Sequence, residues 1–109
     1  MFSFLKGNSP EPVERSAAEQ QSIDAQTAKL NLYHYDSCPF CARVRNHIDQ
    51  LSLNIDYKNI QLEPKNRDDL IAGGGRPTVP CLRIEQEDGS AQWMYESSDI
   101  MAYLSQRFA

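Results

Sequence analysis

The sequence predicts an α/β fold: a four-stranded mixed sheet flanked by three helices, in the order β-α-β-α-β-β-α, behind an N-terminal arm. Three observations carry the prediction. A strand-like run, a helix-like run and a second strand-like run follow one another within about thirty residues, the span of a βαβ unit with parallel strands and a right-handed crossover. Two further strand-like runs flank Asp88-Gly89, a pair that favours a tight antiparallel hairpin. The chain then closes on apolar residues at helical spacing.

Taken in order, Leu30-Asn31-Leu32-Tyr33-His34-Tyr35 alternates in polarity and is rich in tyrosine, as a strand does. From Phe40 the residues Phe40, Val44, Ile48 and Leu51 recur at helical spacing, with Arg43, Arg45, Asn46, Asp49 and Gln50 between them. That is an amphipathic helix ending near Ser52. Residues 55–60 form a second short strand. Residues 63–72 read as a shorter helix, with Pro64 near its start, Leu70-Ile71 as its apolar side and Gly73-Gly74-Gly75 as its stop. The glycine run lacks both the Gly-x-Gly-x-x-Gly spacing and the following Lys-Ser/Thr of a phosphate loop. Arg76-Pro77-Thr78-Val79-Pro80 leads into a strand over 81–85, and 91–95 is its return. Glu96-Ser97-Ser98-Asp99 offers hydroxyls and carboxylates to the orphan N–H groups of a last helix, whose buried side is Ile100, Tyr103, Leu104 and Phe108.

A chain of 109 residues has the length of one domain with one modest core. Its folded part is expected over 30–109. Residues 1–29 differ in composition: Gly7-Asn8-Ser9-Pro10-Glu11-Pro12 is a breaker cluster, and Val13 to Lys29 is rich in Glu, Gln, Ala and Ser. Val13, Ala17, Ile23 and Ala28 make only a weak stripe, so the arm reads as a solvated helix or a partly disordered segment. Phe2, Phe4 and Leu5 read as part of a disordered terminus. The formal net charge of −4 disfavours a nucleic-acid surface. No apolar run approaches the ~20 residues of a membrane span. The opening Met1-Phe2-Ser3-Phe4-Leu5-Lys6 is too short for a secretory signal, and its charge follows the apolar stretch. Three cysteines are too few, and odd in number, for a disulfide scaffold. A reactive dithiol in the reducing cytoplasm is the expected setting.

That dithiol is Cys38-Pro39-Phe40-Cys41, placed where the first strand gives way to a helix. N–H groups at a helix N-terminus are unpaired and carry partial positive charge. A sulfur there is stabilised as the thiolate, the nucleophilic form. Pro39 suits the first helical position, where its missing N–H costs nothing. Cys41 lies one turn on, on the same helix side, within reach of a disulfide with Cys38. A structural zinc site would need a second ligand pair. Cys81, His34 and His47 stand in no paired spacing, so no metal site is expected. Cys81 is expected to be a buried structural thiol, and both histidines surface or strand-face residues.

A strand leading into Cys38-Pro39-Phe40-Cys41, then Thr78-Val79-Pro80, then a polar helix start at Glu96-Ser97-Ser98 resembles the glutaredoxins over about residues 30–109. Tyr35 and Tyr95-Glu96-Ser97, in place of a lysine and a glycine pair, look like the branch similar to the N-terminal domain of glutathione S-transferases. That branch usually carries a second, all-helical domain. The resemblance implies a thioredoxin fold, with glutathione as cosubstrate and no cofactor required. It implies Cys38 as the nucleophile and Cys41 as the resolving thiol. Pro39 and Phe40 would flank the disulfide, and Thr78, Val79 and a cis Pro80 would pair with the cysteinyl amide of glutathione. Glu96, Ser97 and Ser98 would hold its γ-glutamyl end, and Arg76 its glycyl carboxylate. The implied activity is reduction of glutathione mixed disulfides and of protein disulfides by a monomer. On that reading, deleting residues 1–29 leaves the redox activity within a few-fold. Two rival readings go with the resemblance: a carrier of a glutathione-ligated [2Fe–2S] cluster, and a non-catalytic glutathione-binding adaptor.

Overall fold

The computed structural model describes residues 11–109. The readings on Phe2, Phe4, Leu5 and Gly7 to Pro10 lie outside the described residues. The elements are α1 (Ala17–Thr27), β1 (Leu30–His34), α2 (Pro39–Gln50), β2 (Asp56–Asn59), α3 (Pro64–Gly74), β3 (Cys81–Glu85), β4 (Ala91–Met94) and α4 (Ser97–Phe108). The sheet runs β2-β1-β3-β4, with β1 parallel to β2 and antiparallel to β3, and β3 antiparallel to β4. This is the expected thioredoxin-like sheet. No helix of the described residues is long and apolar enough to cross a membrane.

Alternation along β1 sorts the core into two layers. Leu30 and Leu32 face α2 and α4, joining Val44, Ile48, Leu82, Ile100, Leu104 and Phe108 in the larger cluster. Tyr33 faces the other way and packs with Leu70 of α3 and with Cys81. At about 25 cal/mol per Å² of apolar surface removed from water, this two-sided burial is the main stabilising contribution.

Two local expectations are corrected. First, the structure has a fourth helix, α1, inside the arm, and that helix is docked. Ser16 and Glu19 cap each other reciprocally at its start. In place of an apolar stripe, Arg15 anchors it: Nη1 donates to Leu51 O at 2.7 Å and Nη2 to Phe108 O at 2.7 Å. These carbonyls end α2 and α4, where a helix leaves acceptors unpaired and carries partial negative charge. Val13 N–H donates to Gln50 O at 2.8 Å, and Ile23 packs on the larger cluster.

Second, α3 does not stop at Ala72. It runs through Gly73 and Gly74 and ends at Gly75, which takes φ +93°. Gly73 and Gly74 are there for close approach. A Cβ on Gly73 would overlap the Trp93 indole, and one on Gly74 the Tyr95 hydroxyl.

Candidate active site

Pro39 occupies the first turn of α2 and Cys38 is its N-cap, with extended backbone (φ −76°, ψ 117°). This geometry turns the Cys38 side chain back over the helix start, where Sγ accepts a hydrogen bond from the Cys41 N–H at 3.3 Å. Cys38 was expected to be the more exposed thiol. It is only marginally so, at 4% against 0% for Cys41, because the same turn folds its sulfur inward. Both thiols are free. Burial, and then the hydrogen bond with Cys38, push the Cys41 thiol well above its ordinary range. The two sulfurs are therefore chemically unequal: Cys41 is held in its protonated form, and Cys38 faces the positive end of a helix.

The β1–α2 loop is fastened from behind. Arg45, one turn beyond Cys41 on α2, reaches His34 Nδ1 at 2.9 Å, Tyr35 O at 3.3 Å and Asp36 O at 3.1 Å. Of the two readings, His34 is thus the strand-face residue, and it is buried because alternation along β1 turns it toward α2. Burial first, and the Arg45 guanidinium second, hold its imidazole below the ordinary value. His47 bonds Ser105 Oγ through Nε2 at 2.8 Å, tying α2 to α4.

Beside the dithiol lies an open cavity of about 270 Å³. Phe40 forms one wall and is 57% exposed. Thr78, Val79 and Pro80 form a second, and the Val79–Pro80 peptide is cis. Val79 lies just before β3, outside its ladder. Glu96 and Ser97, at the start of α4, form the third, with Arg76 and Tyr95 between. Contrary to the capping expected at this helix start, the N-cap side chain of α4 makes no cap hydrogen bond. Its N-cap, Glu96, turns the chain at φ +62°, a left-handed conformation that non-glycine residues rarely adopt. Among the described residues, the first-turn N–H groups of α4 thus receive no cap from the N-cap side chain.

Seven of the expected residues thus share one cavity: Phe40, Arg76, Thr78, Val79, Pro80, Glu96 and Ser97. Cys38, Cys41, Pro39 and Ser98 are not part of its wall. Pro39 and the two thiols sit on the adjoining helix start, and Ser98 lies one position past the cavity-lining residues of α4. Tyr95 was missed as a site residue. Its ring lies under the Arg76 guanidinium, 4.2 Å from the centroid, and its hydroxyl donates to Arg76 O at 2.9 Å. The signal was an aromatic residue directly before a helix start, at a distance from the glycine run that it presses against. Cys81 is wholly buried behind Tyr95, and burial pushes its thiol up to about 12. No cluster of three or more potential metal ligands occurs among the described residues.

Known proteins share the family and the fold of this chain. The family model of the glutathione S-transferase N-terminal domain matches residues 32–109. Among curated proteins, prostaglandin E synthase 2 of Mus musculus is 36% identical over 91 residues, which is 84% of this chain and 22% of that protein. Among solved structures, glutathione transferase E6 of Drosophila melanogaster superimposes with a TM-score of 0.58 at 28% identity, over 74% of this chain and 36% of that one. A glutathione transferase homologue of Drosophila mojavensis, solved with bound glutathione, gives 0.57 at 27% identity, over 73% and 35%. The chain thus spans about a fifth of the curated relative and about a third of these structures.

Proposed function

The chain belongs to the family of glutathione S-transferase N-terminal domains, and from that premise we propose that it is a glutathione-dependent thiol–disulfide oxidoreductase. The observation that carries this reading is a pair of unequal thiols on a helix start beside the cavity. Cys38 is aimed at the N-terminus of α2, and Cys41 is buried behind it. A transferase needs no second thiol at this place, whereas the dithiol route to protein-disulfide reduction uses both.

In the proposed reaction, the Cys38 thiolate attacks the sulfur of a glutathione mixed disulfide. The new Cys38–glutathione bond forms as the old disulfide breaks, and the substrate leaves as its thiolate. A second glutathione then displaces the first from Cys38, giving oxidised glutathione and the free thiol. The bound glutathione lies along the cavity. Its cysteinyl amide pairs with the Val79 backbone like an added strand. Its γ-glutamyl carboxylate meets the uncapped N-terminus of α4 at Ser97, with Ser98 in the same turn, and Glu96 takes the γ-glutamyl amine. Arg76, held by Tyr95, is left for the glycyl carboxylate. The proposed substrates are glutathionylated or disulfide-bonded proteins in the reducing cytoplasm. Glutathione is the cosubstrate, and the chain acts as a monomer. For protein disulfides Cys41 resolves the complex.

The test is a glutathione mixed-disulfide reduction assay with single-cysteine variants. Cys38→Ser is expected to abolish all exchange. Cys41→Ser is expected to keep deglutathionylation, lose most reduction of protein disulfides and accumulate a Cys38–glutathione adduct by intact mass. Equal loss in both variants, or activity surviving in Cys38→Ser, would overturn the assignment.

A further inference from the structure

The guanidinium of Arg45 plays no part in the proposed contacts with glutathione, yet it is bound to the loop that leads into the dithiol. The Tyr35 carbonyl accepts from the Cys38 N–H at 3.3 Å and also from Arg45 Nη1 at 3.3 Å. Arg45 Nη2 holds the next carbonyl, Asp36 O, at 3.1 Å. Arg45 stands four residues after Cys41, on the same side of α2. A planar guanidinium can span neighbouring acceptors in a way that a lysine ammonium cannot.

We propose that Arg45 is the positioning residue of the resolving step: it clamps the Tyr35–Asp36 turn against the dithiol and keeps a fixed positive charge one helical turn from Cys41. The inference rests on the dithiol reading given above. In that step the Cys41 thiolate attacks Cys38 Sγ, the Cys38–Cys41 bond forms, the mixed disulfide breaks, and the partner thiol leaves with the electron pair. The Cys41 proton goes to water or to the departing sulfur. Cys41 must therefore give up a proton in a buried place. Burial opposes that ionisation most and Cys38 next, whereas the Tyr35 backbone and, to a smaller degree, the Arg45 charge favour it. Arg45 is steadied in turn from β1. Because arginine can only donate, His34 Nδ1 is the acceptor and the neutral ring carries its proton on Nε2. Nearby charged and titratable groups are Asp36, held through Asn59 Nδ2 at 3.3 Å, and Tyr57 of β2, whose ring lies 5.1 Å from that of His34 and which feels both Asp49 and Arg45 of α2.

Ellman's reagent separates the steps, because attack by Cys38 releases one thionitrobenzoate and resolution by Cys41 releases the second. Stopped-flow absorbance of the full chain should show two phases, with Cys41→Ser giving the first alone. In Arg45→Met the second phase should slow by about tenfold or more, with its pH profile moved alkaline, while the first changes by less than about threefold. Arg45→Lys keeps the charge and should restore the pH profile, with the second phase still slower than wild type. If Arg45→Met does not fold by circular dichroism, Arg45→Lys decides by whether the second phase slows more than the first. Equal slowing of both phases, or a second phase with the wild-type rate and pH profile, overturns the proposal. A wild-type protein without a second phase overturns the dithiol reading, and this inference with it.

Discussion

At His34 the folded chain resists a proton that the unfolded chain accepts. Burial and the neighbouring guanidinium both lower its basicity, and only Asp36 works the other way. Below the unfolded value of about 6.5 the unfolded state binds more protons, so stability falls with pH across that window. The stabilising contribution is complete above the unfolded value. It is lost as pH drops from there toward the lower folded value. Urea denaturation at pH 7.5 and pH 5 should therefore show an acid loss that His34→Gln reduces, since glutamine can still accept from Arg45 but does not titrate. An unchanged acid loss in that variant would place its origin elsewhere. The sequence could show that His34 lay in a strand. It could not show that Arg45 would reach back from the following helix, because a long side chain's target is set by tertiary packing and not by period.

Among the elements, α3 shows where local rules and packing diverge. By helix propensity, Gly73→Ala should stabilise an open helix by about 1 kcal/mol. Here the added methyl meets the rigid Trp93 indole, which itself packs at 5.3 Å against the Tyr33 ring. Overpacking of this kind costs about 1–3 kcal/mol, so the clash wins. Thermal unfolding should show a lower Tm for Gly73→Ala, and a higher one would mean that α3 moves away freely. A run of three glycines looks like a helix stop in sequence, and only Gly75 is one. The strands, by contrast, were readable within a residue or two, since alternation in β1 and the Asp88-Gly89 turn are local signals. The residues that the family resemblance implies at Thr78-Val79-Pro80 and, at the start of α4, Glu96 and Ser97 line one cavity, while the Cys-x-x-Cys thiols lie outside its wall.

For the molecule as a whole, Arg15 is the main departure from the sequence reading. The arm's composition suggests a solvated appendage, and in α1 and the residues just before it the Arg15 guanidinium, with Val13 and Ile23, makes the segment part of the body by joining the C-terminal ends of α2 and α4. Hydrogen bonds to charged groups contribute about 1.5–3 kcal/mol each, and the two short ones here act as a unit. Arg15→Ala should lower stability by about 2 kcal/mol or more in urea denaturation, with the reduction of glutathione mixed disulfides kept in the folded protein. Deleting residues 1–29 removes this clamp and Ile23 together. That truncation is expected to lose stability first and activity only as the fold fails. Wild-type stability in Arg15→Ala would return the arm to an appendage.

The left-handed turn at Glu96 sets stability and recognition against each other. A non-glycine residue in such a conformation costs about 1–3 kcal/mol, and glycine removes the cost while giving back up to about 1 kcal/mol in unfolded-state freedom. Glu96→Gly should therefore unfold at a Tm no lower than that of the parent. It should also bind glutathione less well, having lost the carboxylate proposed to hold the γ-glutamyl amine. A variant that became both sturdier and equally avid would show that the glutamate is tolerated at this corner and not needed there. One that became sturdier and less avid would mark position 96 as a place where fold stability has been given up for ligand recognition.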